Sequence, residues 1–180
     1  MKRVMVVLFA AALWIVFVRA GEAAPRTGFG VDVGVASHIM DGTFKQGGNV
    51  SYSSLGLSLG IDYQIAVSEK FSINPFLMTS SEQGNGDVSG SVGHGIFGLE
   101  GRYWFDSIFI GAHVASYSEV LSGSNNDSTS ANGTGFGLSA GWEDDHGGLF
   151  VMAQLDKTKL AYSDADVNMT GVRMSVGYRW

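Results

Sequence analysis

The sequence predicts an all-β fold, an eight-stranded antiparallel up-and-down transmembrane β-barrel, and three observations carry that prediction. Eight stretches alternate apolar with small or polar residues, which is the period of an extended strand with two unlike faces. Every apolar stretch after Ala24 is broken within a few positions by Gly, Ser or a charged residue, so no later segment suits a spanning helix. The chain starts like an exported protein yet holds no Cys, only 2 Pro and as many as 26 Gly, so no disulfide framework supports it. Inside lipid every backbone polar group must be satisfied within the protein, and without helices only a closed barrel achieves this.

The first residues read as a secretory signal. Lys2 and Arg3 precede an apolar run from Val4 to Val18 and then small residues up to Ala23 and Ala24. The run is shorter than the roughly 18 to 20 residues a membrane anchor needs. Residues 1–23 are therefore expected to be a cleaved signal peptide and residues 24–180 a single barrel domain. Losing Lys2, Arg3, Arg19 and Glu22 takes 11 basic and 17 acidic side chains to 8 and 16, a net charge of −8. So acidic a chain, with no basic cluster, excludes nucleic acid as a partner class.

The eight strands follow in order. The first sets Phe29, Val31, Val33 and Val35 against Gly30, Asp32 and Gly34, and the second sets Leu55, Leu57, Leu59, Ile61 and Tyr63 against Ser54, Gly56, Ser58, Gly60 and Asp62. The third opposes Phe71, Ile73, Pro75 and Leu77 to Ser72, Asn74, Phe76 and Met78; Pro75 lacks a ladder donor, so a bulge or local irregularity is expected there. The fourth opposes Phe97, Leu99 and Tyr103 to Gly98, Glu100 and Arg102. Apolar rows continue in the fifth (Ile108, Ile110, Ala112, Val114), the sixth (Phe136, Leu138, Ala140, Trp142) and the seventh (Leu149, Val151, Ala153, Leu155). The eighth, Val172, Met174, Val176, Tyr178 and Trp180, ends the chain as MSVGYRW. Each reads as about the 9 to 11 residues of a tilted spanning strand.

Connections alternate in character. DGTFKQGGN, SSEQGNGDVSGS, LSGSNNDSTSAN and the segment around TKLAYSDAD read as four long loops; short turns fall near VSEK, FDS and EDDHG. Transmembrane barrels place long loops outside the cell and tight turns in the periplasm. Phe29, Tyr63, Phe71, Tyr103, Trp142, Tyr178 and Trp180 all stand in the apolar register near the expected periplasmic ends, a candidate aromatic girdle.

With this strand count, this loop alternation and the final VGYRW, the sequence resembles the small eight-stranded outer membrane barrels, such as the transmembrane domain of outer membrane protein A and the opacity-type surface proteins. The resemblance covers the whole mature chain. It implies a bacterial outer membrane location, outer membrane lipids as surroundings, and contact with the barrel-insertion machinery through the C-terminal strand. Most relatives end in Phe, and here Trp180 takes that place.

If the apolar rows face lipid, the opposite rows collect Asp32, Asp62, Asn74, Glu100, Arg102, His113, Glu143, Gln154, Asp156, Arg173 and Arg179 inside. A charge facing lipid near the midplane costs about 2 to 4 kcal/mol, so these side chains belong inward. Eight strands leave an interior just wide enough for side chains to fill, which excludes a wide pore. The expected interior polar network is Asp32, Asp62, Glu100, Arg102, Arg173 and Arg179, centred on Glu100, Arg102 and Arg173.

Other motifs carry less. GHGIFG at 93–98 matches G-x-G-x-x-G, but LEGRYWF continues a strand where a dinucleotide site needs a helix. His38, His94 and His113 fall in inward rows and His146 in a turn, so no His can activate an outward serine such as Ser116, as a lipid A-modifying barrel enzyme would require. His113, Tyr117 and Glu119 share an inward face and read as one hydrogen-bonded cluster. Asp144 and Asp145 beside His146 lack a third fixed ligand, so no metal is assigned. The sequons at Asn49, Asn126, Asn132 and Asn168 are chance matches in loops rich in Asn, Ser and Thr.

The function expected is structural or interactive: a monomeric barrel, without cofactor or catalysis, that anchors and displays four extracellular loops for envelope integrity, adhesion or binding of an extracellular ligand. A narrow solute channel is the first rival, distinguished by conductance. A lipid A-modifying enzyme and a soluble β-sandwich follow, the latter predicting that one apolar row packs between sheets.

Overall fold

The computed structural model describes residues 25–86, 90–123, 128–144 and 148–180. The expected signal peptide, Asn126, and Asp145 with His146 lie outside the described residues. Eight strands follow one another, β1 (Gly28–Phe44), β2 (Asn49–Ser68), β3 (Phe71–Gly86), β4 (Gly90–Phe105), β5 (Ile108–Gly123), β6 (Ser128–Glu143), β7 (Leu149–Ala161) and β8 (Ala165–Arg179). Each pairs antiparallel with its sequence neighbours, and β1 pairs with β8 to close the barrel. All-neighbour antiparallel pairing is what period-two stretches joined by short turns produce, and closure removes both sheet edges.

Burial alternates along every strand with the register read from sequence. Phe29, Val33, Leu57, Leu77, Phe97, Val114, Phe136, Leu155 and Val176 face outward and are exposed, whereas Asp32, Asp62, Glu100, Arg102, Gln154 and Arg173 are buried inside. The outward apolar row of β2 runs from Leu55 to Val67. Twelve residue steps of about 3.3 Å, tilted by about 40°, rise about 30 Å, the hydrocarbon thickness of a bilayer.

The strands are longer than the sequence suggests, from 13 residues in β7 to 20 in β2. The stretches read as four long loops are mostly strand: β1 and β2 are joined by residues 45–48 only, β7 and β8 by residues 162–164 only, and the other two segments lie largely within β3, β4, β5 and β6. Their outward residues above the apolar rows are polar, including Asp41, Ser51, Ser53, Asn168 and Lys159, while their inward residues become apolar: Met40, Val50, Ile96, Leu160, Val167 and Met169 are buried together. The alternation thus reverses phase without a change of register. Below the reversal the barrel is apolar outside and polar inside, and above it the arrangement is that of a water-soluble barrel.

At the opposite end, two-residue turns at 69–70 and 106–107 and a longer connection at 144–148 join the strands. Asp106 adopts φ 54° in its turn, a left-handed conformation that Asp tolerates better than most residues. The irregularity expected at Pro75 is present as a local gap in the β2–β3 pairing, which runs to Asp62↔Phe76 and resumes at Ile65↔Ile73, leaving out Pro75 and Asn74. Pro75 keeps register with Leu99 in β4, and Asp62↔Phe76 and Ile65↔Ile73 share one register on either side of it. A separate register shift between β2 and β3 comes at Ala66 and Ser68, beside the turn, where an extra residue is absorbed.

Candidate functional site: the filled interior and the rim

The interior is built in layers, each from one or two inward residues per strand. At the end that carries the 69–70 and 106–107 turns Trp104, Phe109, Phe150 and Met152 form a buried apolar plug. Arg102 lies over the Phe109 ring at 4.4 Å and Arg179 over Phe150 at 5.3 Å, so the plug also accepts two cations on its aromatic faces. Arg179 pairs with Asp62 at 2.9 Å and with Glu143 at 3.1 Å. Trp104 donates from Nε1 to Ser72 at 3.1 Å.

The six residues expected to form one network occupy adjoining groups. Arg102 pairs with Glu100 at 2.7 Å and reaches Asp62 at 3.9 Å, which links it through Asp62 to Arg179. Arg173 instead pairs with Asp32 and donates from Nε to Ser58 at 2.9 Å. Arg173 is therefore not bonded to Glu100 or Arg102, but all three line one cavity of about 20 Å³, together with Asp32 and Asp62. That volume is room for about one water molecule. Burying this many charges is tolerable only because each carboxylate here faces a guanidinium.

Higher in the barrel, the cluster expected from His113, Tyr117 and Glu119 divides in two. His113 Nε2 lies 2.7 Å from Asp156, and Tyr117 donates to the same carboxylate at 2.8 Å. A Cβ at Gly137 would come within 2.3 Å of the His113 ring, so the bare backbone opposite makes the room this imidazole needs. Glu119 belongs to a further layer, where it accepts hydrogen bonds from Tyr52 at 2.5 Å and from Tyr162. In that layer Glu82 also meets His38 at 2.9 Å. Sequence reasoning left out Glu82, Tyr52 and Tyr162; Glu82 and Tyr52 stand in the inward rows of β3 and β2, and Tyr162 lies in the β7–β8 connection just past the inward row of β7.

On the outer surface the aromatic row divides too. Phe29, Tyr63, Phe71, Tyr103, Tyr178 and Trp180 are exposed in the outward register near the end with the short turns, and Trp180 stacks on Phe29 at 6.2 Å. Trp142 shares the register but is only 7% exposed. It sits at the end of β6 beside the connection at 144–148, where the large indole is enclosed by protein instead of facing the boundary. Phe105, 4.9 Å from Tyr103, is exposed at this level and was not anticipated.

A closed antiparallel sheet with an apolar belt of bilayer height and an interior filled with paired charges defines a small transmembrane β-barrel. Among solved structures the chain is similar to Ail, the attachment invasion locus protein of Yersinia pestis, at 12% identity over 86% of this chain and 99% of that one, with a TM-score of 0.51. It is also similar to Neisserial surface protein A, at 11% identity over 83% of this chain and 97% of that one, with a TM-score of 0.54. The likeness is one of fold. No protein-family model and no curated protein matches the chain.

Proposed function

We propose that this chain is a bacterial outer membrane protein whose work is done at its extracellular rim, with the barrel as a sealed, non-catalytic anchor. The observation that carries the reading is the phase reversal: above the apolar rows the strands continue with polar residues outside and a packed apolar interior, so the molecule presents a built protein surface to the medium. The rim's outer face includes Asp41, Thr43, Ser51, Lys159, Asp166 and Asn168, a surface suited to polar recognition or adhesion. That two barrels of this fold are named for attachment and for the cell surface accords with such a role.

Catalysis is not part of the proposal. Among the described residues His38, His94 and His113 are all buried inside the barrel, away from the outward serines.

Because the chain has no native cysteine, single substitutions test the orientation directly. Ser163→Cys at the β7–β8 tip should react with a membrane-impermeant maleimide on intact cells, and Glu69→Cys should react only after the outer membrane is opened. The reverse pattern would overturn the orientation. Cells of a non-adherent strain displaying the protein should gain adhesion to a host-cell or abiotic surface, and should lose it when the outward residues Asp41, Ser51 and Asn168 are replaced. Stable conductance steps in a planar bilayer, with no gain of adhesion, would favour the narrow channel instead.

A further inference from the structure

We infer that His38, Glu82 and His94 form a zinc site enclosed in the barrel at the foot of its apolar cap. One ligand atom from each of the three buried side chains lies within 4.8 Å of the others. His38 Nδ1 is 2.9 Å from Glu82 Oε1, and His94 Nε2 is 3.8 Å from the same oxygen. Ligands bound tetrahedrally to zinc at about 2.0 to 2.1 Å stand about 3.3 Å apart, and the two separations bracket that spacing.

Independent features point to a cation there. His94 Nε2 is buried and has no hydrogen-bond partner, and it is directed at Glu82 across a gap too long for a hydrogen bond. His94 Nδ1 stands 3.3 Å from Glu119 Oε2, a carboxylate fixed by Tyr52 and Tyr162, which is the second-sphere arrangement that orients a metal-binding imidazole. Glu82 is itself held by Ser54 and Ser80, each donating at 2.5 Å, so its carboxylate is fixed before any ligand arrives. The His38 and His94 rings face one another at 4.2 Å with no bond between them.

The charge balance leads to the same conclusion. In the lower layers Asp32, Asp62, Glu100 and Glu143 each have an arginine. Glu82, Glu119 and Asp156, equally buried, are paired among the described residues with histidines only, and of these Glu82 and Glu119 share one layer around His94. Two buried carboxylates set among imidazoles with no guanidinium form a place where a divalent ion can supply positive charge, and two nitrogens with one carboxylate oxygen are a ligand set that suits zinc. Gly171 belongs to the site as well: a Cβ there would lie 2.5 Å from His38 Cδ2, so only a glycine at this point leaves the ring its place. Met40, Val50, Leu160, Val167 and Met169 close the barrel above, so the ion would enter as the strands assemble.

The test uses the full-length mature barrel refolded into detergent with zinc, desalted, and assayed for metal by mass spectrometry. About one zinc per folded chain is expected, falling to background in His94→Gln and Glu82→Gln, with folding of each checked by its heat-dependent gel mobility. Cobalt in place of zinc should give visible absorption bands of a low-coordinate site in the wild type alone. If the variants do not fold, the wild type decides: its unfolding temperature should be higher when refolded with zinc than with chelator. Folded wild type that retains no zinc, shows no cobalt bands and is indifferent to the chelator would overturn the site and leave a His–Glu pairing layer in its place.

Discussion

Arg102 shows how strongly single residues are constrained inside this barrel. It donates from Nε to Glu100 at 2.8 Å, reaches Gln64 at 3.3 Å and rests on Phe109, with almost no exposure. Removing it leaves Glu100 as a buried charge held only by Ser139, a loss of about 3 to 5 kcal/mol for a broken buried pair. Arg102→Met should lower the stability of the vesicle-embedded barrel in urea by that amount, and adding Glu100→Gln should recover most of it. Equal stability of the single and double variants would mean that Glu100 is not held by Arg102. The inward place of these charges is legible in sequence, because a lipid-facing position would penalise them. Their partners are not legible. His38 and Glu82 stand 44 positions apart, and only the stagger of three neighbouring strands brings them together.

Among the elements, β2 carries the clearest experiment. Its outward row changes at one step from Ser53 to Leu55, and its inward row changes at about the same height from Tyr52 to Ser54. Leu57→Arg puts a charge in hydrocarbon and should cost about 2 to 4 kcal/mol, whereas Ser53→Arg, four residues away on the same face, should cost less than about 1 kcal/mol. Similar losses for both would place the boundary above Ser53. Strand identity and register were legible wherever lipid demands an apolar row, since a slip of one residue would turn every side chain to the wrong face. The upper halves were not, because Gly, Ser, Asn and Asp by composition read as loops. They are strands because the ladder extends upward from the membrane-embedded half and because Val50, Tyr52, Leu160, Val167 and Met169 supply a core. That signal was present as a second alternation, in the opposite phase.

For the molecule as a whole, closure, filling and pairing act together. The interior is filled by packed side chains, with a cavity of about 20 Å³ between paired charges, so bilayers containing the protein should show no stable conductance steps. Unheated protein should migrate apart from boiled protein on a gel, since no strand edge is available from which to unzip the ladder; coincident bands would contradict closure. The tips bear on recognition. Two of the four outer connections, residues 45–48 and 162–164, are only a few residues long, and Lys45 of the first hydrogen-bonds the Ser163 carbonyl of the second at 2.8 Å. A partner meeting these two tips therefore finds them preorganised, and little conformational entropy has to be given up there on complex formation. The same short tips give a protease on the cell surface few extended segments to thread into its cleft.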